Sequence, residues 1–457
     1  MKQTFKFFVA IATIAVGMTA CSSEEIISTV PTLQPTTERG SLTITINNKA
    51  TTKAVDDSNA VDAEIAINKI SLFIFGSATE AEADTIFTTT NPNPFTENGD
   101  NSYNATFYNA PIGSKSVYVG VNLPQGLHDD IKTKGVAAVY ELKTLTELQA
   151  LYPASGGFPM FSDETKSPVT TIAQKTGTEV NVDVKRFVAK VTLETSKTFE
   201  DEAVKKTANG MTVDATLKFA MGQINTKFFP FPQKVGSYYL DPNYSAVITN
   251  NTLSYATDFI SGWTYDFKNN STWAANAFDD FKEVTTSSNT SDIMSFAPAY
   301  VLENTNEQKL KGELTYALVS AKFTPEFTHS YANSQVTATT NTAKDISKLY
   351  VFNNGGTYYY FTDKTEADLY QTDKGLDYKE YTDCTCFYRV FLNPGEKYNV
   401  YRNDYYRVTV EQVVRLGEPL PELEDPTLEI GGTAALKVNI DVQQWQLKTQ
   451  DASLGKD

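Results

Sequence analysis

Two segments near opposite ends of the chain constrain the fold most. Leu42-Thr43-Ile44-Thr45-Ile46 and Leu436-Lys437-Val438-Asn439-Ile440-Asp441-Val442 both alternate strictly between branched apolar and polar residues. A period of two is the mark of a strand with one buried face. Between them, strand-like runs recur at Lys69 to Phe75, Ser116 to Val121, Val180 to Leu193, Thr212 to Phe219, Leu314 to Ala321 and Tyr405 to Val414. Turn signals separate these runs: Asn98-Gly99-Asp100, Pro111-Ile112-Gly113, Asn353-Asn354-Gly355-Gly356 and Asn393-Pro394-Gly395. Aromatics reach 12%, and Tyr, Phe and Thr favour pleated sheets. The expectation is an all-β chain of sandwiches. One helix is predicted, because Leu142, Leu145, Leu148 and Leu151 fall on one face and Thr144 with Glu147 has capping-box spacing. The Thr- and Asn-rich stretch from Thr324 to Lys344 reads as a long loop.

The first 20 residues read as a signal peptide rather than fold. Lys2 and Lys6 precede an apolar run, Phe7 to Val16, too short to span a bilayer. Gly17-Met18-Thr19-Ala20 then stands directly before Cys21, a thiol placed for lipidation; ordinary cleavage after Ala20 is the alternative. Ser22 to Gly40 is polar and aperiodic, as in a flexible tether.

Composition excludes several classes of function. The net charge is −16 and no basic stripe exists, so nucleic acid is not an expected partner. Besides Cys21, only Cys384 and Cys386 occur. A disulfide two residues apart in a strand closes a strained ring, and two thiols alone lack the remaining ligands of a zinc site. Two small buried side chains are expected instead. The only histidines, His128 and His329, sit in polar, loop-like contexts, and no nucleophile elbow, phosphate loop or metal-binding His pair appears. His128 beside Asp129 and Asp130, and Asp383 beside Cys384, read as solvated polar groups. A paired-carboxylate hydrolase needs no histidine, but nothing marks its carboxylates. Asn98 to Asn101 reads as a plain turn rather than a calcium loop. Tyr358-Tyr359-Tyr360-Phe361 reads as a strand buried on both faces, with stacking on sugar rings as the alternative. No catalytic residue, metal or cofactor is expected.

At Tyr401-Arg402-Asn403-Asp404-Tyr405-Tyr406-Arg407-Val408-Thr409-Val410 the chain resembles the C-terminal signature of the Bacteroidales fimbrillin family, and within it the Mfa-type major subunit of short fimbriae. Supporting matches span nearly the full length. They are Gly113 to Tyr118 leading to Asn122-Leu123-Pro124, the Val184-Lys185-Arg186-Phe187-Val188-Ala189-Lys190-Val191 strand, Leu392-Asn393-Pro394, and Gly417 with Pro419-Leu420-Pro421 before the last alternating segment.

The resemblance implies two transthyretin-like β-sandwich domains in tandem. The chain then divides into a signal peptide (1–20), a propeptide with the first strand at 42–46 (21–53), an N-terminal sandwich (54–184), a C-terminal sandwich (185–425), and a linker with a donor strand (426–457). It further implies export as a lipoprotein held in the outer membrane through Cys21, trimming by a trypsin-like Arg/Lys-specific protease, and a head-to-tail homopolymer at the cell surface with accessory tip and anchor proteins, supporting adhesion and biofilm formation. Carried onto this sequence, the cut falls at Lys53-Ala54, with Arg39-Gly40 competing. The displaced strand holds Leu42, Ile44 and Ile46. The donor strand holds Leu436, Val438, Ile440 and Val442, and Trp445 and Leu447 follow in the opposite phase, where a bulge is expected. Loss of the first strand opens an apolar groove with unpaired backbone, which a strand of matching alternation from a neighbour can fill. Two other readings stay open: a surface glycan-binding lipoprotein, and a fimbrial tip or anchor subunit.

Overall fold

A computed structural model of the chain describes residues 39–47, 64, 66–76, 85–90, 95–98, 102–144, 157–163, 169–173, 177–196, 199, 206–207, 210–214, 217–235, 238–244, 247–249, 252–254, 259–260, 282–283, 285–286, 298–343, 345–423, 425–430 and 436–444. The elements below all belong to the compact unit Arg39–Asp457.

The first group of strands is β1 (Arg39–Asn47), β2 (Lys69–Phe75), β3 (Thr85–Thr90), β4 (Phe95–Asn98), β5 (Ser102–Pro111), β6 (Gly113–Val121), β7 (Met160–Ser162), β8 (Val169–Ile172) and β9 (Thr178–Arg186). They connect in the order β3-β2-β6-β7-β9-β1-β5-β4, with β8 on β6. The turn Pro111-Ile112-Gly113 joins β5 to β6, and Gly113 has a φ of 101°, a value side chains rarely adopt. Alternation sorts the residues of β2 and β6 between two cores. Ile70, Leu72 and Ile74 join Val117, Val119 and Val121 around Leu42, Ile44 and Ile46 of β1. Phe73, Phe75 and Tyr118 face the other way, onto helices α1 (Gln125–Lys134) and α2 (Val136–Tyr140).

The second group begins at β10 (Val188–Thr195), immediately after β9. The predicted run from Val180 to Leu193 is therefore broken at Phe187, where the chain leaves the first sheet. β11 (Met211–Val213), β12 (Lys218–Gly222), β13 (Ala299–Leu302), β14 (Tyr316–Pro325), β15 (Phe327–Ala332), β16 (Gln335–Thr340), β17 (Lys348–Asn354), β18 (Thr357–Phe361), helix α3 (Lys364–Lys374), β19 (Tyr378–Thr382), β20 (Thr385–Phe391), β21 (Asp404–Val413) and β22 (Leu436–Gln444) follow. One sheet has β21 between β10 and β22, with β13 also on β10. A second has β14 between β11 and β12 and carries β20 as well. Val191, Leu193, Val408 and Val410 meet Val319, Phe323 and Cys386 in the shared core.

Between β14 and β20, which pair directly, the chain makes an excursion. β16-β15-β18-β17-β19 form a separate five-stranded sheet, and α3 packs on one face of it with Tyr331, Phe352, Phe361 and Tyr370. Asp363 caps α3 by accepting from the N–H groups of Thr365 (2.7 Å) and Glu366 (3.1 Å), and left-handed Gly375 ends it.

Two expectations are corrected here. From Thr324 to Thr340 the chain is not a loop but the end of β14 and the hairpin β15–β16, closed by Asn333 and Ser334, both left-handed. Of the predicted Leu142–Leu151 helix, residues 145–151 lie outside the described residues, and Lys143 and Thr144 at its start pair with Phe228 and Lys227. His128 is buried on α1, its ring 5.5 Å from that of Phe73, and His329 is half-buried on β15.

Candidate functional site

β1 is held on both edges. It runs parallel to β9, with Leu42 opposite Thr178 and Ile46 opposite Val182, and antiparallel to β5, with Ile44 opposite Ala105. Leu42, Ile44 and Ile46 are each 0% exposed. At about 1.5–3 kcal/mol for a fully buried aliphatic side chain, the three contribute on the order of 6 kcal/mol. Thr43 reaches Thr106 across the opposite face at 3.1 Å. Arg39 is the first residue of β1, whereas Lys53 and Ala54 come after its end and lie outside the described residues.

Among the described residues, β22 is held on one edge only. It pairs antiparallel with β21, Val438 opposite Val410, Ile440 opposite Val408 and Val442 opposite Tyr406. Leu436 is buried, but Val438, Ile440 and Val442 are only partly covered, and Lys437, Asn439 and Asp441 face solvent. The apolar spacing of β22 thus repeats that of β1 at a lesser depth. Trp445, Leu447 and Cys21 lie outside the described residues.

The segment between β21 and β22 is strapped to the body. Glu418 and Phe387 exchange backbone hydrogen bonds of 2.8 Å, and Arg389 donates to the carbonyl of Pro421 (2.8 Å). Further on, the N–H groups of Lys311 and Gly312 donate to the carbonyls of Leu428 (2.8 Å) and Pro426 (2.9 Å).

Residues 401–407 explain themselves as a junction. Arg402 is 5% exposed. Its Nε and Nη2 grip Glu303 at 3.0 and 2.8 Å, and its other donor contacts are the carbonyls of Phe229 and Pro230. Asn403 takes the left-handed conformation (φ 62°), donates its N–H to Val188 and accepts from Arg186 Nη1 at 2.9 Å. Burial drives the Asp404 carboxyl up to about 7, against the pull of Lys185. Tyr405 meets Thr192 at 2.8 Å, and Arg407 pairs with Glu194 at 2.8 Å. Each residue thereby fixes β21 to β10 or to the loops around it.

A second buried cluster anchors Glu64, which is 1% exposed. Lys190 Nζ lies 3.0 Å from its carboxylate, Tyr300 donates to it, and Arg186 Nη2 donates to its backbone carbonyl at 3.1 Å. Burial lowers the Arg186 guanidinium to about 10 and also lowers Lys190. Nothing in the sequence pattern singled out Glu64; its only signal is an acidic residue in an otherwise apolar run, Ala63 to Ile67.

Cys384 and Cys386 are both free and buried, and burial pushes their thiols up to about 11 and about 12. Cys384 sits in the turn after β19 with a φ of 48°, not in the strand. Tyr360 and Phe361 are buried on opposite faces of β18, with Tyr358 and Tyr359 half-buried beside them.

The buried polar groups around Arg402 and Glu64 tie strands and loops together in a chain that is predominantly β. A family model matches part of the C-terminal half of the chain. Residues 379–451 match the model for "Major fimbrial subunit protein type IV, Fimbrillin, C-terminal". This match supports the fimbrillin family for the chain, and with it a structural, non-enzymatic fimbrial subunit. No curated protein matches the sequence. Among solved structures, a candidate cell adhesion protein of Parabacteroides distasonis is similar over 90% of this chain and 99% of its own, at 12% identity and a TM-score of 0.47. The fimbrilin of Porphyromonas gingivalis W83 is similar over 90% and 99%, at 14% identity and a TM-score of 0.44. The tip fimbrial protein Mfa3 of Porphyromonas gingivalis is similar over 89% and 99%, at 15% identity and a TM-score of 0.38.

Proposed function

We propose that the protein is the shaft subunit of a fimbrium, built as two β-sandwiches in series and polymerised by strand exchange. In this reading, a basic-residue-specific protease cuts after Lys53 and frees β1. The groove between β9 and β5 then receives β22 of a neighbouring copy. Lipidation at Cys21 carries the precursor to the outer membrane, and tip and anchor proteins complete the filament.

The observation that carries the reading is the contrast between β1 and β22. The two share one apolar spacing, but β1 has partners on both edges and a fully buried face, whereas β22 has one partner and a partly covered face. Moving β22 from its own sheet edge into a vacated two-sided groove increases both backbone pairing and apolar burial, so exchange runs downhill once β1 is gone. A head-to-tail contact of this kind does not close on itself and therefore builds a filament.

The strap over residues 417–430 restrains where the strand leaves. The decisive experiment is limited digestion with a lysine-specific protease, followed by N-terminal sequencing and electron microscopy. Filaments whose subunits begin at Ala54 support the reading. Filaments whose subunits begin at Gly40 sink it, because that cut leaves Leu42 to Ile46 attached.

A further inference from the structure

Edge strands expose a row of backbone donors and acceptors, and proteins ordinarily guard them with charge, proline or a covering element. The excursion sheet treats its two edges differently. β19 carries Lys379 and Glu380, which pair with Glu418 and Lys348. β16, at the other end of the sheet, carries none of these guards. Residues 327–343 contain no Asp, Glu, Lys, Arg or Pro, in a chain whose net charge is −16. Every residue of β16 except Val336, half-buried against the cluster of Tyr331 and Phe352, is exposed, and among the described residues no strand pairs its outer edge. It is nonetheless in register: it pairs residue for residue with β15, from Phe327 opposite Thr340 to Ala332 opposite Gln335, without a bulge.

We propose that β16 is a docking edge for a second copy of this chain, the two β16 strands pairing antiparallel about a two-fold axis. Charge selects this occupant. Two copies at −16 repel over most of their surfaces, and a charge-free strand is where they can approach closely. An antiparallel pair of identical strands is self-complementary in its backbone hydrogen bonds, whatever the side chains, and so makes an isologous contact. Exposed Thr337 and Thr339 bring β-branched side chains that suit cross-strand pairing. The contact spans about 20 Å for six residues, so one pair is weak and concentration-dependent. Repeated along the filament proposed above, such pairs would hold filaments side by side. The pairing itself does not depend on that filament, since β16 is remote in sequence from β1 and β22.

Sedimentation velocity on the uncleaved full chain tests it without interference from strand exchange. The wild type should show a monomer–dimer equilibrium that shifts with protein concentration. Thr337→Lys combined with Thr339→Lys should abolish the dimer with melting unchanged, because both side chains are exposed and the lysines set like charges against each other. Deletion of 436–457 should leave the dimer intact. Independently, in a Cys21→Ser background, single cysteines placed one at a time along residues 335–340 should form disulfide-linked dimers with a maximum at one central position, falling to either side. A wild type that stays monomeric, a dimer that survives both lysines, or a flat or absent crosslinking profile overturns the proposal.

Discussion

At the scale of single residues, the signature around Arg402 is a packing device with measurable consequences. Removing the guanidinium leaves Glu303 buried without its fork. Arg402→Ala should therefore cost about 3–5 kcal/mol and lower the melting temperature sharply, and Arg402→Lys should rescue only part of it because one ammonium cannot reach Glu303 and the carbonyls of Phe229 and Pro230 together. Asp404 makes a pH prediction. Its folded value, about 7, lies above the ordinary 3.8, so the folded chain binds a proton that the unfolded chain has released. Its stabilising contribution is therefore fully present below about 4 and is lost as pH rises through about 7. His329 acts from the other side. Its Nδ1 accepts the Tyr360 N–H at 2.9 Å, and burial holds the ring below 6.5, so its contribution is present above 6.5 and lost as pH falls through the lower folded value. Thermal melts across pH 4 to 8 should show Asp404→Asn flattening the alkaline fall, with the acid side unchanged. The family signature was legible in the sequence as a string, but its physical work was not. The partners of Arg402 and Asn403 lie 99 to 217 residues away in the chain, and no local pattern encodes such separations.

At the scale of elements, legibility followed burial. A strand with one fully buried face, such as β1, announces itself by alternation, and the Asn353 to Gly356 turn matches the tight hairpin that joins β17 to β18. Where neither face is buried the signal disappears, and so β16 was read as loop although its backbone pairing is regular. Helix α1 was missed for a related reason: only Leu127, His128 and Ile131 are buried, too few to establish a period. Lys143, just before the Leu145 to Leu151 repeat, is drawn inward by Asp130 and by Glu141 at 2.8 Å, contacts that no local spacing encodes. For β22, partial cover predicts a separation of effects. Ile440→Asp should cost the monomer about 1 kcal/mol, as for a half-solvated site, while nearly abolishing polymer, where the same carboxylate enters a closed groove. Gln412 and Lys437 lie opposite each other across β21 and β22. A disulfide between Gln412→Cys and Lys437→Cys should fix β22 on its own sheet, block assembly and release it on reduction. Assembly that proceeds equally well with the bridge closed would show that β22 need not leave.

At the scale of the whole molecule, the proposed strand exchange would give the subunit a polarity, which can be tested by poisoning each end separately. A mature subunit lacking 436–457 keeps its groove between β9 and β5 and can accept a strand, but has none to offer. A Lys53→Gln subunit keeps β1 in that groove and can offer β22, but cannot accept. Glu64, only eleven residues after Lys53, is tied down by Lys190, Tyr300 and Arg186, so the chain that follows the proposed cut is anchored to the body. Each altered subunit should therefore fold and form no filament alone under conditions that polymerise the wild type. Added in small proportion to wild type, each should shorten the filaments, the truncated form capping one end and the uncut form the other. Mixed only with each other, they should stop at a one-to-one heterodimer, since the single available donor meets the single open groove and nothing remains to extend. Mass photometry resolves these species directly. Filaments from the uncut subunit alone, or growth beyond the heterodimer in the mixture, would mean that β1 and β22 are not the exchanging pair.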